Sequence, residues 1–289
     1  MKDIALIATA YNNEVRIYVS KTNNLVEEAR KIHDTWPTAT AALGRFLTVS
    51  AMMGLMYKDK ERISLQIKGD GPIGQMIVEA NSQGEVKADI INPHVYIRHE
   101  IEGKLDVGKA VGKGFLQVTK DLNMRSMFTS SSELVSGEIA EDFANYFVNS
   151  EQTPSAVSLG VLVNPDQSVK EAGGFIIQVL PGASEETISK LEKVIYEVGP
   201  VSRYFEEGKD LSSLLSVLSS NTEKILATKE LLYKCNCSKE RFAKSLSALD
   251  DNTMDELIAD NGIETVCHFC KTKYYFTKDE LITIKKNRK

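Results

Sequence analysis

Residues 1–234 contain no cysteine; all four, Cys235, Cys237, Cys267 and Cys270, lie in the last quarter of a 289-residue chain. That distribution excludes a framework of disulfides scattered through the body. Long apolar runs are also missing. The longest candidate, Thr38 to Tyr57, is interrupted by Arg45 and several small polar residues, so it reads as a buried helix. A basic excess is absent: 35 Lys+Arg stand against 40 Asp+Glu, a net charge of −5, which argues against a general nucleic-acid binder. Histidines number only four, and His33, His94 and His99 are scattered without serine or acid placements that would suggest a triad. The first residues, MKDIALIATAYNNEV, carry Asp3 and a polar turn, so no export signal is expected there and the reducing cytoplasm is the expected compartment.

What is present is an ordinary globular composition, 42% hydrophobic with both charge signs mixed, and enough length for a main domain plus something smaller. The charge is uneven. Residues 231–289 hold 11 Lys+Arg and 9 Asp+Glu, leaving 24 and 31 of the totals of 35 and 40 for residues 1–230. The tail is slightly basic, and Lys234, Lys239, Arg241, Lys271 and Lys273 sit beside the cysteines, where they would balance an anionic cluster.

Periodicity predicts an α+β body. Ile4–Ala10 and Val15–Val19 read as a hairpin turning at Asn12-Asn13. Asn24 is expected to cap a helix to about His33, and a second helix should run from Pro37 to about Tyr57 with Ala42, Phe46, Val49, Met53 and Met56 on one face. Trp36 is expected as a packing anchor, and the methionines of Ala51-Met-Met-Gly-Leu-Met56 read as core packing before an adaptable binding surface. Strands are expected at Ile63–Lys68, Gln75–Ala80 and Val86–Ile91, strand pattern over 105–119, a helix over 136–148, and strands at Ala156–Val163 and Gly174–Leu180. Gly69-x-Gly71-x-x-Gly74 matches a dinucleotide fingerprint, with Asp89 at the right distance. Pro72 removes a phosphate-facing N–H, however, and no helix opens at the loop, so a tight β-turn is the reading.

From Ser184 the texture changes to two narrow apolar helical faces, Ile188, Leu191, Ile195, Val198 and then Leu211, Leu214, Leu215, Leu218, among polar residues. We read 1–183 as the α+β core domain, 184–230 as a helical linker that must lie on something else, and 231–289 as a small C-terminal domain. In that domain Ser238 should cap a helix, Thr253-Met-Asp-Glu256 and Thr277-Lys-Asp-Glu280 read as capping boxes, and three helix fragments with a cysteine hairpin make up the roughly 60 residues. So small a core needs a staple.

Cys235-Asn-Cys237, 29 residues, then Cys267-His-Phe-Cys270 supplies one. Two close pairs brought together by a folded loop are what tetrahedral, closed zinc coordination requires, and metal binding feeds directly into folding. His268 is expected to stay outside a site already saturated by four sulfurs. With no open position, catalytic zinc is not expected, and no H-x-E arrangement suggests a zinc hydrolase or deaminase. The C-x-C spacing differs from ordinary zinc ribbons; a disulfide across it closes a very small ring, and Cys237 precedes a helix N-terminus that favours thiolate. Chemistry alone leaves two readings open, a permanent structural zinc site and a redox switch.

The cysteine pattern resembles that of the heat-shock protein 33 family, redox-regulated bacterial holdase chaperones. Gly69-Asp-Gly-Pro-Ile-Gly74, Tyr146-Phe-Val-Asn-Ser-Glu-Gln152 with Pro154-Ser155, and Gly173-Gly174 running into Gln178-Val-Leu-Pro181 are similar as well, so the resemblance spans nearly the whole chain. It implies a non-enzymatic, ATP-independent chaperone that holds unfolding client proteins under oxidative stress. It further implies that the reduced form, with one zinc on Cys235, Cys237, Cys267 and Cys270, is inactive. Hypochlorite, or peroxide with heat, would form the disulfides Cys235–Cys237 and Cys267–Cys270, expel zinc, unfold tail and linker, and yield an active homodimer. The rival from another class is a structural zinc-ribbon nucleic-acid-binding or transcription-associated protein, against which the acidic body and the lack of a basic stripe speak. Neither membrane nor nucleic acid is an expected partner.

Overall fold

The computed structural model describes residues 2–100 and 104–287 and divides into two compact units, Met1–Tyr233 and Lys234–Lys289. Helices and strands alternate irregularly, as an α+β protein requires. Among the described residues no helix is long and apolar enough to cross a membrane.

The first unit opens with strands β1 (Ile4–Ala10) and β2 (Val15–Lys21), paired antiparallel. Tyr11, Asn12 and Asn13 between them all have positive φ, the left-handed region that asparagine tolerates better than most residues. Helix α1 (Asn23–His33) follows, but Asn24 is not its cap. The carboxylate of Asp3 does that work, accepting from the Leu25 N–H at 2.6 Å and from the Asn24 side chain at 2.9 Å. Pro37 starts helix α2 (Pro37–Gly54), where its fixed φ suits the first turn. Apart from Pro37 and Arg45, every residue of α2 is buried, so the single apolar face expected is in fact a helix enclosed on all sides. Met52 and Met53 are core residues. Trp36 is not an anchor. It is 46% exposed, with its ring stacked 5.2 Å from that of His94.

Strands β3 (Arg62–Gly69), β4 (Gln75–Asn81) and β5 (Glu85–Ile90) form a meander whose alternate residues face the core. At Gly69–Gly74 the chain turns straight into β4, with Gly74 at φ 74° and its N–H donating to Gly71 O. No helix opens there, as a dinucleotide site would need. The stretch 105–119, expected as strand, is split between the short helix α3 (Val107–Val111) and β6 (Gly114–Asp121). Asp106 caps α3 through Lys109 N–H, and Gly112 ends it at φ 76°. Strand β7 (Phe128–Glu133) was not expected; its serine run carries no apolar alternation.

Helix α4 (Ala140–Asn149) begins later than expected, because residues 135–139 wrap around a buried carboxylate. Asp142 accepts from the N–H groups of Val135 (2.7 Å), Ser136 (3.0 Å), Gly137 (3.3 Å) and Ile139 (2.9 Å). This cradle holds Ile139 at φ 72°, an uncommon conformation for a β-branched residue. Asp142→Ala would strand several buried donors, so we expect a loss of about 3 kcal/mol, read as a lower urea midpoint at unchanged slope. Strands β8 (Ser155–Val163) and β9 (Val169–Val179) follow, then helices α5 (Glu185–Val198), α6 (Val201–Glu206) and α7 (Leu211–Leu218). Ser184 caps α5 as expected, accepting from Thr187 N–H. Residues 224–230, expected within the helical linker, are instead strand β10 (Lys224–Glu230), and β11 (Leu232–Tyr233) follows after one residue.

Two sheets result, in the orders β10-β1-β2-β9-β8 and β11-β5-β4-β3-β6-β7. Alternation assigns the faces of the five-stranded sheet. Ala5, Tyr18 and Ile176 point into the main core with α2 and the inner face of the six-stranded sheet. Leu6, Ile17, Val19, Phe175 and Ile177 point the other way, into a second core closed by Leu191, Val201, Phe205, Leu211, Leu214, Leu215 and Leu218 of α5–α7. These three helices form a cover over one sheet face.

The second unit contains α8 (Lys239–Leu246), α9 (Asp251–Ala259), the antiparallel pair β12 (Gly262–Val266) and β13 (Lys273–Thr277), and α10 (Lys278–Lys286). Ser238 caps α8, and Thr277 with Glu280 forms the expected capping box on α10. The box expected at Thr253 is not the start of α9; Asp250 caps it, accepting from both the N–H and the hydroxyl of Thr253. The fully enclosed core is Leu246, Met254, Phe276 and Leu281.

Candidate metal centre

The four cysteines arrive from two local structures. Cys235 and Cys237 lie in the extended segment before α8, where the Arg241 guanidinium donates to Asn236 O at 2.8 Å and so pins the C-x-C turn to the first turn of the helix. Cys267 and Cys270 occupy the connection between β12 and β13. Its turn is closed by Lys271 N–H donating to Cys267 O (2.8 Å) and Cys267 N–H to Thr272 O (2.9 Å), with Lys271 at φ 57°. A hairpin tip and a helix N-terminus thus bring all four sulfurs to one place.

All four Sγ atoms lie within 4.8 Å of one another. Cys235 and Cys267 are separated by 3.7 Å, and Cys237 and Cys270 by 3.3 Å. Zinc bound tetrahedrally at about 2.3 Å from each thiolate would place the sulfurs about 3.8 Å apart, so the donor set and spacing fit a single metal ion with no room for a further ligand. No sulfur is in a disulfide; Cys267 is buried and the other three are partly so. Burial pushes the Cys235 thiol up to about 12, with hydrogen bonding to the neighbouring sulfurs adding to it. At Cys270 burial also raises the thiol, but the Thr272 hydroxyl and N–H, with Cys237 and Cys267, outweigh it and bring the group to about 6. His268 is exposed and lies outside the four-sulfur group.

The cations near the site are not all directed at it. Lys239 pairs with Glu280 and Lys273 with Glu264 at 2.9 Å, while Arg241 serves the C-x-C backbone. Sequence reasoning missed two hydroxyls. The Tyr274 phenol is 3.3 Å from Cys237 Sγ, and the Thr272 hydroxyl is 3.2 Å from Cys270 Sγ. The period-two pattern of β13 could have revealed the first, since Tyr274 and Phe276 share the inward face between exposed Lys273, Tyr275 and Thr277. The Cys237 sulfur in turn raises the Tyr274 phenol to about 12. His94 and His33 have separate roles. His94 is exposed and pairs with Asp34 at 2.9 Å, and the buried His33 lies 3.1 Å from the Tyr233 hydroxyl through Nε2.

Comparison with known proteins places this geometry. The family model described as Hsp33 protein matches residues 3–277. The 33 kDa chaperonin of Acholeplasma laidlawii is 51% identical over 285 residues, covering 97% of this chain and 98% of the relative. That of Bacillus velezensis is 46% identical, covering 96% and 97%. The crystal structure of the 33 kDa chaperonin from Thermotoga maritima superposes with a TM-score of 0.91 at 36% identity, over 98% of this chain and 97% of that one. The resemblance read from the cysteines therefore extends through the whole fold, and the chain belongs to the Hsp33 protein family of chaperones.

Proposed function

We propose that this protein is a redox-switched, ATP-independent holdase of the cytoplasm, silent while Cys235, Cys237, Cys267 and Cys270 are reduced and together hold one zinc ion. The observation that carries the reading is the convergence of four unpaired thiols within 4.8 Å in a unit whose own enclosed core is only Leu246, Met254, Phe276 and Leu281. When bound, zinc supplies a closed cross-link whose binding energy is folding energy for the unit around it. The four cysteines bind as thiolates, and Arg241 and the Lys271 turn hold the two pairs in position.

Under oxidant, Cys235 joins Cys237 and Cys267 joins Cys270. Each new S–S bond takes two electrons from its thiolate pair, and with two protons from solvent one peroxide is reduced to two waters. Sulfur committed to a disulfide is no longer a thiolate donor, so the staple is lost and residues 231–289 loosen. The covalent path inward is short. Cys235 lies two residues after Tyr233, the end of β11, and the segment 184–230 ends one residue before that strand. Release of α5–α7 would uncover two complementary apolar faces: Leu211, Leu214, Leu215 and Leu218 on the helices, and Leu6, Ile17, Val19 and Phe175 on the sheet. Those faces are the proposed holding surface for unfolding clients, with the body, 1–183, pairing as a homodimer in the active state.

The test is suppression of aggregation of a heat-unfolded client, with zinc release followed by a chromogenic chelator and thiols counted in parallel. Oxidised protein should protect at near-equimolar ratio while reduced protein does not. Peptide mapping of the oxidised form should recover the Cys235–Cys237 and Cys267–Cys270 bridges. Equal protection by the reduced protein overturns the switch, and retention of DNA or RNA at physiological salt would favour the zinc-ribbon rival.

A further inference from the structure

We propose that Tyr274 is a positioning residue of the cysteine centre, donating its phenol O–H to the Cys237 thiolate and thereby restraining both its position and its reactivity toward oxidants. The inference rests on the reading that these cysteines hold a metal and are oxidised. The phenol oxygen lies 3.3 Å from Cys237 Sγ. Three further contacts hold it there. Tyr274 is paired with Thr265 across the hairpin, and the Thr265 hydroxyl donates to Tyr274 O at 3.1 Å. The Tyr274 ring lies against that of Phe242 at 5.2 Å between centroids. Phe242 belongs to α8, whose cap, Ser238, directly follows Cys237. The ring therefore spans from the hairpin carrying one cysteine pair to the helix carrying the other, and its hydroxyl is aimed at a sulfur.

A hydrogen bond donated to a thiolate draws charge from the lone pair that would otherwise attack an oxidant, and donors around metal-bound ligands fix their orientation. Of the four sulfurs, that of Cys237 meets the Tyr274 hydroxyl, whereas that of Cys270 meets the Thr272 hydroxyl. The restraint acts on one sulfur, and that selectivity separates it from mere packing.

The experiment uses the full chain carrying Tyr274→Phe, which keeps the ring against Phe242 and removes only the hydroxyl. Reduced protein is treated with iodoacetamide, metal-loaded and metal-free, and modification of each cysteine is timed by peptide mass spectrometry. Cobalt(II) is used as a spectroscopic probe of the sulfur-to-metal charge-transfer band. In the metal-loaded protein, where both sulfurs are thiolates, we expect Cys237 to react about tenfold faster relative to Cys235. In the metal-free protein, where loss of the donor lowers the thiolate fraction, the ratio should fall. The cobalt band should shift and the melting temperature stay within error of wild type. Phe242→Leu, which loosens the packing but retains the phenol, should instead raise all four rates together. An unchanged Cys237 to Cys235 ratio in Tyr274→Phe overturns the proposal, as does a uniform rise matching Phe242→Leu. Failure of the wild type to bind zinc or to form disulfides with peroxide would instead sink the switch, while the metal-free ratio still tests the hydrogen bond.

Discussion

Replacing Cys267 with serine should unfold residues 234–287 and loosen α5–α7, while residues 2–100 and 104–183 stay folded. Cys267 is the buried member of the four, and its loss leaves three sulfurs where closed coordination requires four. Structural zinc in small domains contributes about 10–16 kcal/mol of apparent binding energy at neutral pH. A core of this size contributes on the order of 3–5 kcal/mol at most, so the metal term decides whether the unit is folded. Limited proteolysis should cut the variant throughout α8, α9 and the β12–β13 hairpin, then in α5–α7, and leave a resistant fragment ending near residue 183. Wild-type protein stripped of metal under reductant should give the same fragment. If either sample keeps its C-terminal unit intact and resistant, the four sulfurs are not what holds that unit together.

The second large effect concerns the helical cover of the five-stranded sheet. Leu214 and Leu218 are fully buried against that sheet. Introducing a carboxylate by Leu214→Asp places an unpaired charge in an apolar interface, a penalty of at least several kcal/mol. We expect α5–α7 to exchange amide hydrogens as though unfolded while the strands beneath stay protected. In the proposed mechanism the variant should then hold clients even in excess reductant, recovering much of the protection given by oxidised wild type. Ser212→Asp, at an exposed position on the same helix, serves as the control and should remain silent. Rapid exchange across 185–218 without gain of client protection would mean that this layer is not the cover that matters.

The clustering of the four cysteines was the most legible feature of the chain, because their spacing in two close pairs implies convergence without knowledge of packing. The strands from Ile63 to Ile91 were legible for a related reason, since one buried face imposes strict alternation. Elements lacking such a constraint were missed. Strand β7 is a serine run with mostly exposed side chains, and β10 lies at a sheet edge with Ile225 and Leu226 both half exposed, so neither shows a period. Capping was misread at Asn24 and Thr253 because the acceptors, Asp3 and Asp250, are set by tertiary approach in one case and by a competing neighbour in the other. The enclosure of α2 on every side could not be read from its mixture of alanine, threonine and methionine. The phenol at Cys237 depended on which face of a short strand met the helix.

The ten residues from Lys224 to Tyr233 join the rims of two different sheets. Strand β10 borders β1, β11 runs parallel to β5 with Leu232 opposite Glu85 and Tyr233 opposite Val86, and buried Leu231 sits between them. The Tyr233 hydroxyl is fastened on both sides of Ala88, to its N–H at 3.2 Å and its carbonyl at 3.0 Å. Peeling this one ribbon away would bare the backbone of β1 and β5 at once, leaving two open ladders ready to pair with any extended polypeptide. Its seam makes the body's two β-layers sticky together or not at all.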